Sequence, residues 1–255
     1  YFNEFEGTLS KVTDATVVGA NQIAKGYLLL NENGKHFRDV YEEYGLNHRG
    51  FGFGGVFTDF DNDHNQDIFV NHDFGYKRTP NLLLKNEYPR KSFIDVAKEK
   101  GMDLRINAMG AAVGDYNNDG WLDLVLPEIL YDRSFVLWGG PDGYSMERSQ
   151  AFSVLHCVSA RAADLSRNGY LDLIFGGGPP SLDGPHDSFA YIYWNGPDGL
   201  REDRRTVLPA NQINAMTAAD FNNDGRLDVM ANSLVYWVQG MMARDLLGKG
   251  SKIYG

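Results

Sequence analysis

Asp115-Tyr116-Asn117-Asn118-Asp119-Gly120-Trp121-Leu122-Asp123 places carboxylate or amide side chains at its first, third and fifth positions, a glycine at its sixth and a closing aspartate at its ninth. The same pattern stands at Asp59-Phe60-Asp61-Asn62-Asp63-His64-Asn65-Gln66-Asp67, at Asp164-Leu165-Ser166-Arg167-Asn168-Gly169-Tyr170-Leu171-Asp172 and at Asp220-Phe221-Asn222-Asn223-Asp224-Gly225-Arg226-Leu227-Asp228. The first aspartates are 56, 49 and 56 residues apart, slightly more than the period of a four-stranded propeller blade. A single copy would read as an ordinary Asp/Asn/Gly turn. Four copies in register do not, because clustered carboxylates repel one another unless a cation joins them.

The residues around each loop read as strands. A small-residue and apolar stretch precedes it (Gly54 to Phe57, Ala111 to Gly114, Ala160 to Ala163, Met216 to Ala219) and another follows (Ile68 to Val70, Leu124 to Leu126, Leu173 to Phe175, Val229 to Ala231). The loop is therefore a hairpin connection. A third strand recurs as Tyr27 to Leu30, Asn81 to Leu84, Phe135 to Trp138, Tyr191 to Trp194 and Leu234 to Trp237, and a fourth as Phe37 to Val40 and Phe93 to Val96. With 29 Gly and 33 aromatic residues and no helical heptads, the chain reads as all-β. The expected architecture is a single β-propeller domain over 1–255 with four-stranded blades near 1–49, 50–105, 106–156, 157–212 and 213–255. The first blade lacks an acidic loop, keeping only Asp14 at the ninth position. The alternatives are a fragment of a seven-bladed propeller and closure by a blade that mixes the two termini.

Calcium is a hard cation that takes six to eight oxygens in flexible geometry. Alternate side chains of a tightly curled loop can converge on one centre, while glycine at the sixth position permits a left-handed turn that aims the seventh carbonyl inward. The predicted ligand sets are Asp59, Asp61, Asp63, Asn65 and Asp67; Asp115, Asn117, Asp119, Trp121 and Asp123; Asp164, Ser166, Asn168, Tyr170 and Asp172; and Asp220, Asn222, Asp224, Arg226 and Asp228. The seventh residue of each set acts through its backbone. Charge grades the sites: the first loop has four aspartates, the second and fourth three, the third two. Three to four calcium ions are expected, bound most weakly at 164–172. The loops hold 12 of the 34 acidic residues, so four ions would bring the formal charge from −10 to about −2. His64 in place of the turn glycine is read as a turn residue.

With Phe51-Gly52-Phe53-Gly54-Gly55 before the first loop and Gly110-Ala111-Ala112-Val113-Gly114 before the second, the loops resemble the FG-GAP/VCBS repeats of integrin α-chain and cartilage acidic protein-like propellers and of bacterial surface proteins. The resemblance covers about four-fifths of the chain. It implies calcium at the matching loop positions on one face of the disc and ligand binding on the other. That opposite face would be built from His72 to Pro80, Arg105 to Asn107, Glu128 to Arg133, Gly176 to Ser188 and Asn211 to Asn214. The same repeats serve adhesion receptors, lectins and appendages of polysaccharide-degrading enzymes, so they do not name a function.

Negative charge without a basic stripe argues against nucleic acid as a partner. No apolar run is long enough to span a membrane, and the sequence starts at Tyr1 without a signal-like segment, so any export signal is expected to be absent or already removed. Cys157, the single cysteine, reads as a buried thiol. Neither a G-x-S-x-G elbow, a phosphate loop nor a zinc-type His or Cys spacing occurs. Trp138, Trp194 and Trp237, aligned with Leu30 and Leu84, read as packing between blades rather than a sugar platform. The expectation is a non-enzymatic, calcium-binding adhesion or recognition module for a protein or glycan. Its modest calcium affinity suits an extracellular, cell-surface or periplasmic setting. The alternatives are a polysaccharide lyase or hydrolase scaffold, for which Arg105, His156 and His186 are scattered candidates, and a structural subunit that assembles with other chains.

Overall fold

The computed structural model of the 255-residue chain describes residues 2–3, 24–73, 79–129, 132–178, 187–211 and 213–233. Among the described residues the regular structure is antiparallel sheet apart from one short 3-10 turn at Met146–Arg148. Strands β1 (Phe2–Asn3), β2 (Ala24–Tyr27) and β5 (Arg49–Gly50) pair in the order β1-β2-β5, and β3 (Leu29–Glu32) pairs with β4 (His36–Asp39). Three four-stranded sheets follow, each made of consecutive strands. The first holds β6 (Gly52–Thr58), β7 (Asp67–His72), β8 (Leu82–Asn86) and β9 (Phe93–Asp95). The second holds β10 (Ala112–Gly114), β11 (Asp123–Leu126), β12 (Arg133–Leu137) and β13 (Ser149–Ser153). The third holds β14 (Ser159–Ala163), β15 (Asp172–Gly176), β16 (Asp187–Tyr193) and β17 (Arg205–Asn211), and a last hairpin joins β18 (Ile213–Ala219) to β19 (Asp228–Ser233).

These meanders are propeller-like blades, and the expected all-β class stands. The first stretch differs from the others: its described residues form a three-stranded and a two-stranded sheet, because β2 turns away to pair with β5 while β3 and β4 close their own hairpin. Asp14, and the third strand expected at Leu234 to Trp237, lie outside the described residues.

The second strand of each complete sheet organises the core. β7, β11 and β15 are buried along their whole length, and their apolar runs alternate between two neighbours as the period-two pleat requires. Ile68 and Val70 pack with Tyr41, Leu46, Leu82 and Leu84, while Phe69 joins Leu83, Ala111, Leu124, Leu126 and Leu137. Val125 turns the other way, to Ala160, Leu173 and Phe175, and Ile174 meets Ile213 and Met216. Each apolar cluster thus glues one sheet to the next. The inner strands β6, β10, β14 and β18 touch in that order, which brings their hairpin loops to a common edge in sequence order.

Register corrects the alignment of the tryptophans. Ile68, Leu124 and Leu173, each following an acidic loop, pair with Leu84, Leu137 and Tyr193. Trp138 and Trp194 therefore match Lys85 rather than Leu84. Both rings pack against the apolar clusters, and Trp194 Nε1 donates to Thr206 Oγ1 at 2.8 Å. Trp237 lies outside the described residues.

Because Leu124 is fully buried between two sheets, Leu124→Ala should lower the unfolding free energy by about 2–5 kcal/mol, read from urea melts. A loss below about 1 kcal/mol would contradict this packing.

Candidate metal centres at four hairpin loops

All four acidic loops are closed by the same Cα pair: Thr58 with Asp67, Gly114 with Asp123, Ala163 with Asp172 and Ala219 with Asp228. Within this frame one hydrogen-bond scheme repeats. The first carboxylate accepts the backbone N–H groups of the fifth and sixth residues, at 3.0 and 3.1 Å on Asp59, 3.1 and 2.9 Å on Asp115, 3.0 and 2.9 Å on Asp164, and 3.1 and 2.7 Å on Asp220. The fifth side chain accepts the seventh N–H at 2.8 Å in every loop (Asn65 to Asp63, Trp121 to Asp119, Tyr170 to Asn168, Arg226 to Asp224).

The backbone that allows this carries two left-handed residues per loop. The sixth position has φ of 67° at His64 and 85–87° at Gly120, Gly169 and Gly225, as its turn role requires. The fourth position is also left-handed, with φ of 53–58° at Asn62, Asn118, Arg167 and Asn223. Asparagine tolerates that region; arginine does so at a cost.

The ninth aspartate is the deepest group. Asp67, Asp123 and Asp172 are completely buried. One oxygen accepts the N–H of the second loop residue, from Phe60, Tyr116 and Leu165 at 3.3, 2.8 and 2.9 Å. The other accepts an N–H just beyond the third strand's apolar run, from Asn86, Gly139 and Asn195 at 2.8, 2.8 and 2.7 Å. Phe221 N–H makes the first of these bonds to Asp228 at 3.3 Å. Gly139 fits its place because a Cβ there would lie 2.4 Å from the Leu122 carbonyl.

Carboxylate oxygens of Asp59, Asp61 and Asp67 lie within 4.8 Å of one another, a spacing that one cation can bridge. Asp63 sits apart from that trio, accepting from Asn65 N–H and from Lys85 Nζ at 3.2 Å; Lys85 also bonds Asp61. In the second and fourth loops the third residue's amide donates to the fifth carboxylate, Asn117 to Asp119 at 2.9 Å and Asn222 to Asp224 at 3.2 Å. The third loop is held by neutral groups: Ser166 N–H joins Leu165 N–H on Asp172, and Asn168 donates its amide to the Asn195 carbonyl at 2.8 Å. Lys85 is the residue that loop spacing alone misses. It stands where other sheets carry Trp138 and Trp194, beside the one loop with a third-position aspartate.

Burial, opposed only in part by N–H donors, pushes the Asp67 carboxyl up to about 7 and the Asp123 carboxyl up to about 6, with neighbouring loop aspartates adding to both. An unfolded aspartate titrates near ~3.9, so between that value and its folded one the native state binds more protons. The contribution of these groups to the stability of the ion-free protein must therefore fall as pH rises from about 4 towards 7. Carboxyl-carbon NMR in chelator should give midpoints near 7 for Asp67 and near 6 for Asp123; midpoints near 4 would refute this burial effect. Lys85→Met should lower the melting temperature in chelator, where the ammonium is the cation joining Asp61 and Asp63, and should strengthen calcium binding at the first loop. Unchanged calcium affinity in this variant would exclude competition by Lys85.

Residues 164–231, which run from the third loop through the fourth, match the sequence model of the FG-GAP-like repeat. The match takes in the third and fourth of the four acidic loops that carry the resemblance. Among curated relatives, Cartilage acidic protein 1 of Xenopus tropicalis is 27% identical over 148 residues, 56% of this chain and 22% of that protein. The chain spans about a fifth of the relative's length.

Proposed function

We propose that this FG-GAP-repeat chain is a calcium-stabilised, non-enzymatic recognition module that works outside the cell and meets a protein or glycan on the face opposite its acidic loops. The observation that carries the calcium reading is the fourfold recurrence of one loop geometry built from oxygen donors, with three carboxylates of the first loop already within bridging distance. Oxygen-only donor sets suit a hard divalent cation. Asp59, Asp61 and Asp67 would hold the ion in the first loop, with Asp63 and the Asn65 backbone completing the set. Asp115, Asn117, Asp119, the Trp121 backbone and Asp123 would do so in the second, and Asp220, Asn222, Asp224, the Arg226 backbone and Asp228 in the fourth. In the third, Asp164, Ser166, Asn168, the Tyr170 backbone and Asp172 offer the fewest charges. Bound calcium supplies positive charge where several carboxylates meet.

Lys85 changes the ranking drawn from aspartates alone. Four aspartates and one ammonium leave the first loop at −3, level with the second at −3, while the fourth sets three aspartates against Arg226 (−2) and the third sets two against Arg167 (−1). The 164–172 loop remains the expected weakest site.

β7, β11 and β15 run from the loops to the far edge, and the polar groups there serve the scaffold. His72 is buried with Nδ1 on the Pro80 carbonyl at 2.7 Å; Glu128 is buried and accepts Asn107 N–H at 3.0 Å; His156 Nδ1 bonds the Ile129 carbonyl at 2.6 Å. This favours recognition over turnover, since these groups are engaged in holding connections. The stretches 74–78, 130–131 and 179–186, with His186, and residue 212 lie outside the described residues. The likeness to a cartilage acidic protein supports an extracellular setting.

Chelation should lower the melting temperature, because an ion that binds only the folded state stabilises it. Isothermal titration should resolve fewer than four equivalent sites. A melting curve indifferent to chelator would contradict the calcium reading, and four identical tight sites would contradict the ranking. On a glycan array with and without chelator, calcium-dependent binding supports recognition, whereas turnover of a polysaccharide would displace it in favour of an enzyme.

A further inference from the structure

The fourth residue of each loop is absent from the predicted ligand sets, yet in the first three loops its side chain reaches the next loop. Asn62 Nδ2 donates to the Gly120 carbonyl at 3.0 Å, and Asn118 Nδ2 donates to the Gly169 carbonyl at 3.3 Å. Donor and acceptor occupy the same loop positions, fourth and sixth, at both junctions. At the third junction Arg167 takes the asparagine's place, and its guanidinium lies 3.4 Å from where a Cβ on Gly225 would stand. The contact is thus repeated around the edge, and its chemistry changes only where the loop with fewest carboxylates begins the link.

Each end of this contact is joined to a predicted ligand through one rigid peptide unit. In the first loop the peptide joining Asn62 to Asp63 gives its N–H to Asp59 at 3.0 Å. In the second, the peptide whose carbonyl Asn62 holds, between Gly120 and Trp121, gives its N–H to Asp119 at 2.8 Å. A path therefore runs from the first carboxylate of one loop to the fifth carboxylate of the next. From Asp115 through Asn118 and the Gly169-Tyr170 peptide to Asn168 the same path recurs, with end bonds of 3.1 and 2.8 Å.

We propose that Asn62 and Asn118 are positioning residues that couple the loops, so that filling one loop orders the next and raises its affinity for calcium. The proposal rests on the calcium reading above. The first carboxylate holds the peptide that bears the fourth residue, so a change in its bonding on ion binding would reset that peptide. That residue's amide then sets the carbonyl of the neighbouring sixth residue and, through the same peptide plane, the neighbouring fifth side chain. Coupling of this kind is a free-energy difference between filled and unfilled neighbours, and it acts in both directions.

The test is a calcium chloride titration of the whole chain followed by backbone amide NMR, with Trp121 reporting the second loop. Asp59→Asn, which disables the first loop, should weaken calcium at the second by about fivefold or more. In Asn62→Gly, which removes the amide but keeps a residue suited to φ of 53°, the further change Asp59→Asn should leave the second loop's affinity nearly unaltered. Equal weakening by Asp59→Asn with and without Asn62, or no weakening in either, overturns the coupling while leaving calcium binding intact. Absence of any calcium-dependent shift at the four loops overturns both. If the first-loop variants fold poorly, Asp115→Asn with and without Asn118→Gly, read at the Tyr170 amide, decides the same question.

Discussion

A carboxylate enclosed at the start of a buried strand is the constraint on which the rest of this architecture hangs. Asp67, Asp123 and Asp172 are fully withdrawn from water, and each is tied by one oxygen to the loop and by the other to the third strand. Loop, second strand and third strand are thereby pinned at one point. Such a group is costly to bury charged, and N–H donors offset only part of that cost, so burial lifts Asp67 and Asp123 well above the usual carboxylate range. Positive charge in the loop would let these groups remain ionised, and on the calcium reading proposed above metal binding and folding would then be one equilibrium.

The same strands join site to scaffold. Starting from the ninth loop residue, β7, β11 and β15 send alternate side chains to opposite neighbours, so that each of the first three acidic loops is anchored in two apolar clusters at once. The loops also meet directly through Asn62 and Asn118. The far edge is left to connections of differing length and composition.

Much of this could be read from residue order. The acidic spacing marks the hairpins, and the period-two apolar runs mark the strands, because both patterns express local geometry. The left-handed sixth position follows from three glycines, and even His64 obeys it. What escaped the reading depends on partners distant in sequence. Lys85 is unremarkable until strand register sets it over Asp61 and Asp63, 24 and 22 residues away. A count of apolar residues put Trp138 level with Leu84, whereas the ladder puts it level with Lys85. The left-handed fourth position is hidden because Arg167 occupies it as well as asparagine. The first stretch shares no acidic loop, and without that anchor its β2 and β3 enter different sheets.

The claim that the four loops are cation sites is tested most directly by anomalous scattering from a crystal of the chain soaked with terbium, an oxygen-seeking stand-in for calcium. The account predicts peaks enclosed by Asp59, Asp61 and Asp67, by the 115–123 loop and by the 220–228 loop, with the weakest density or none at 164–172. Strong peaks elsewhere on the chain, with all four loops empty, would contradict it.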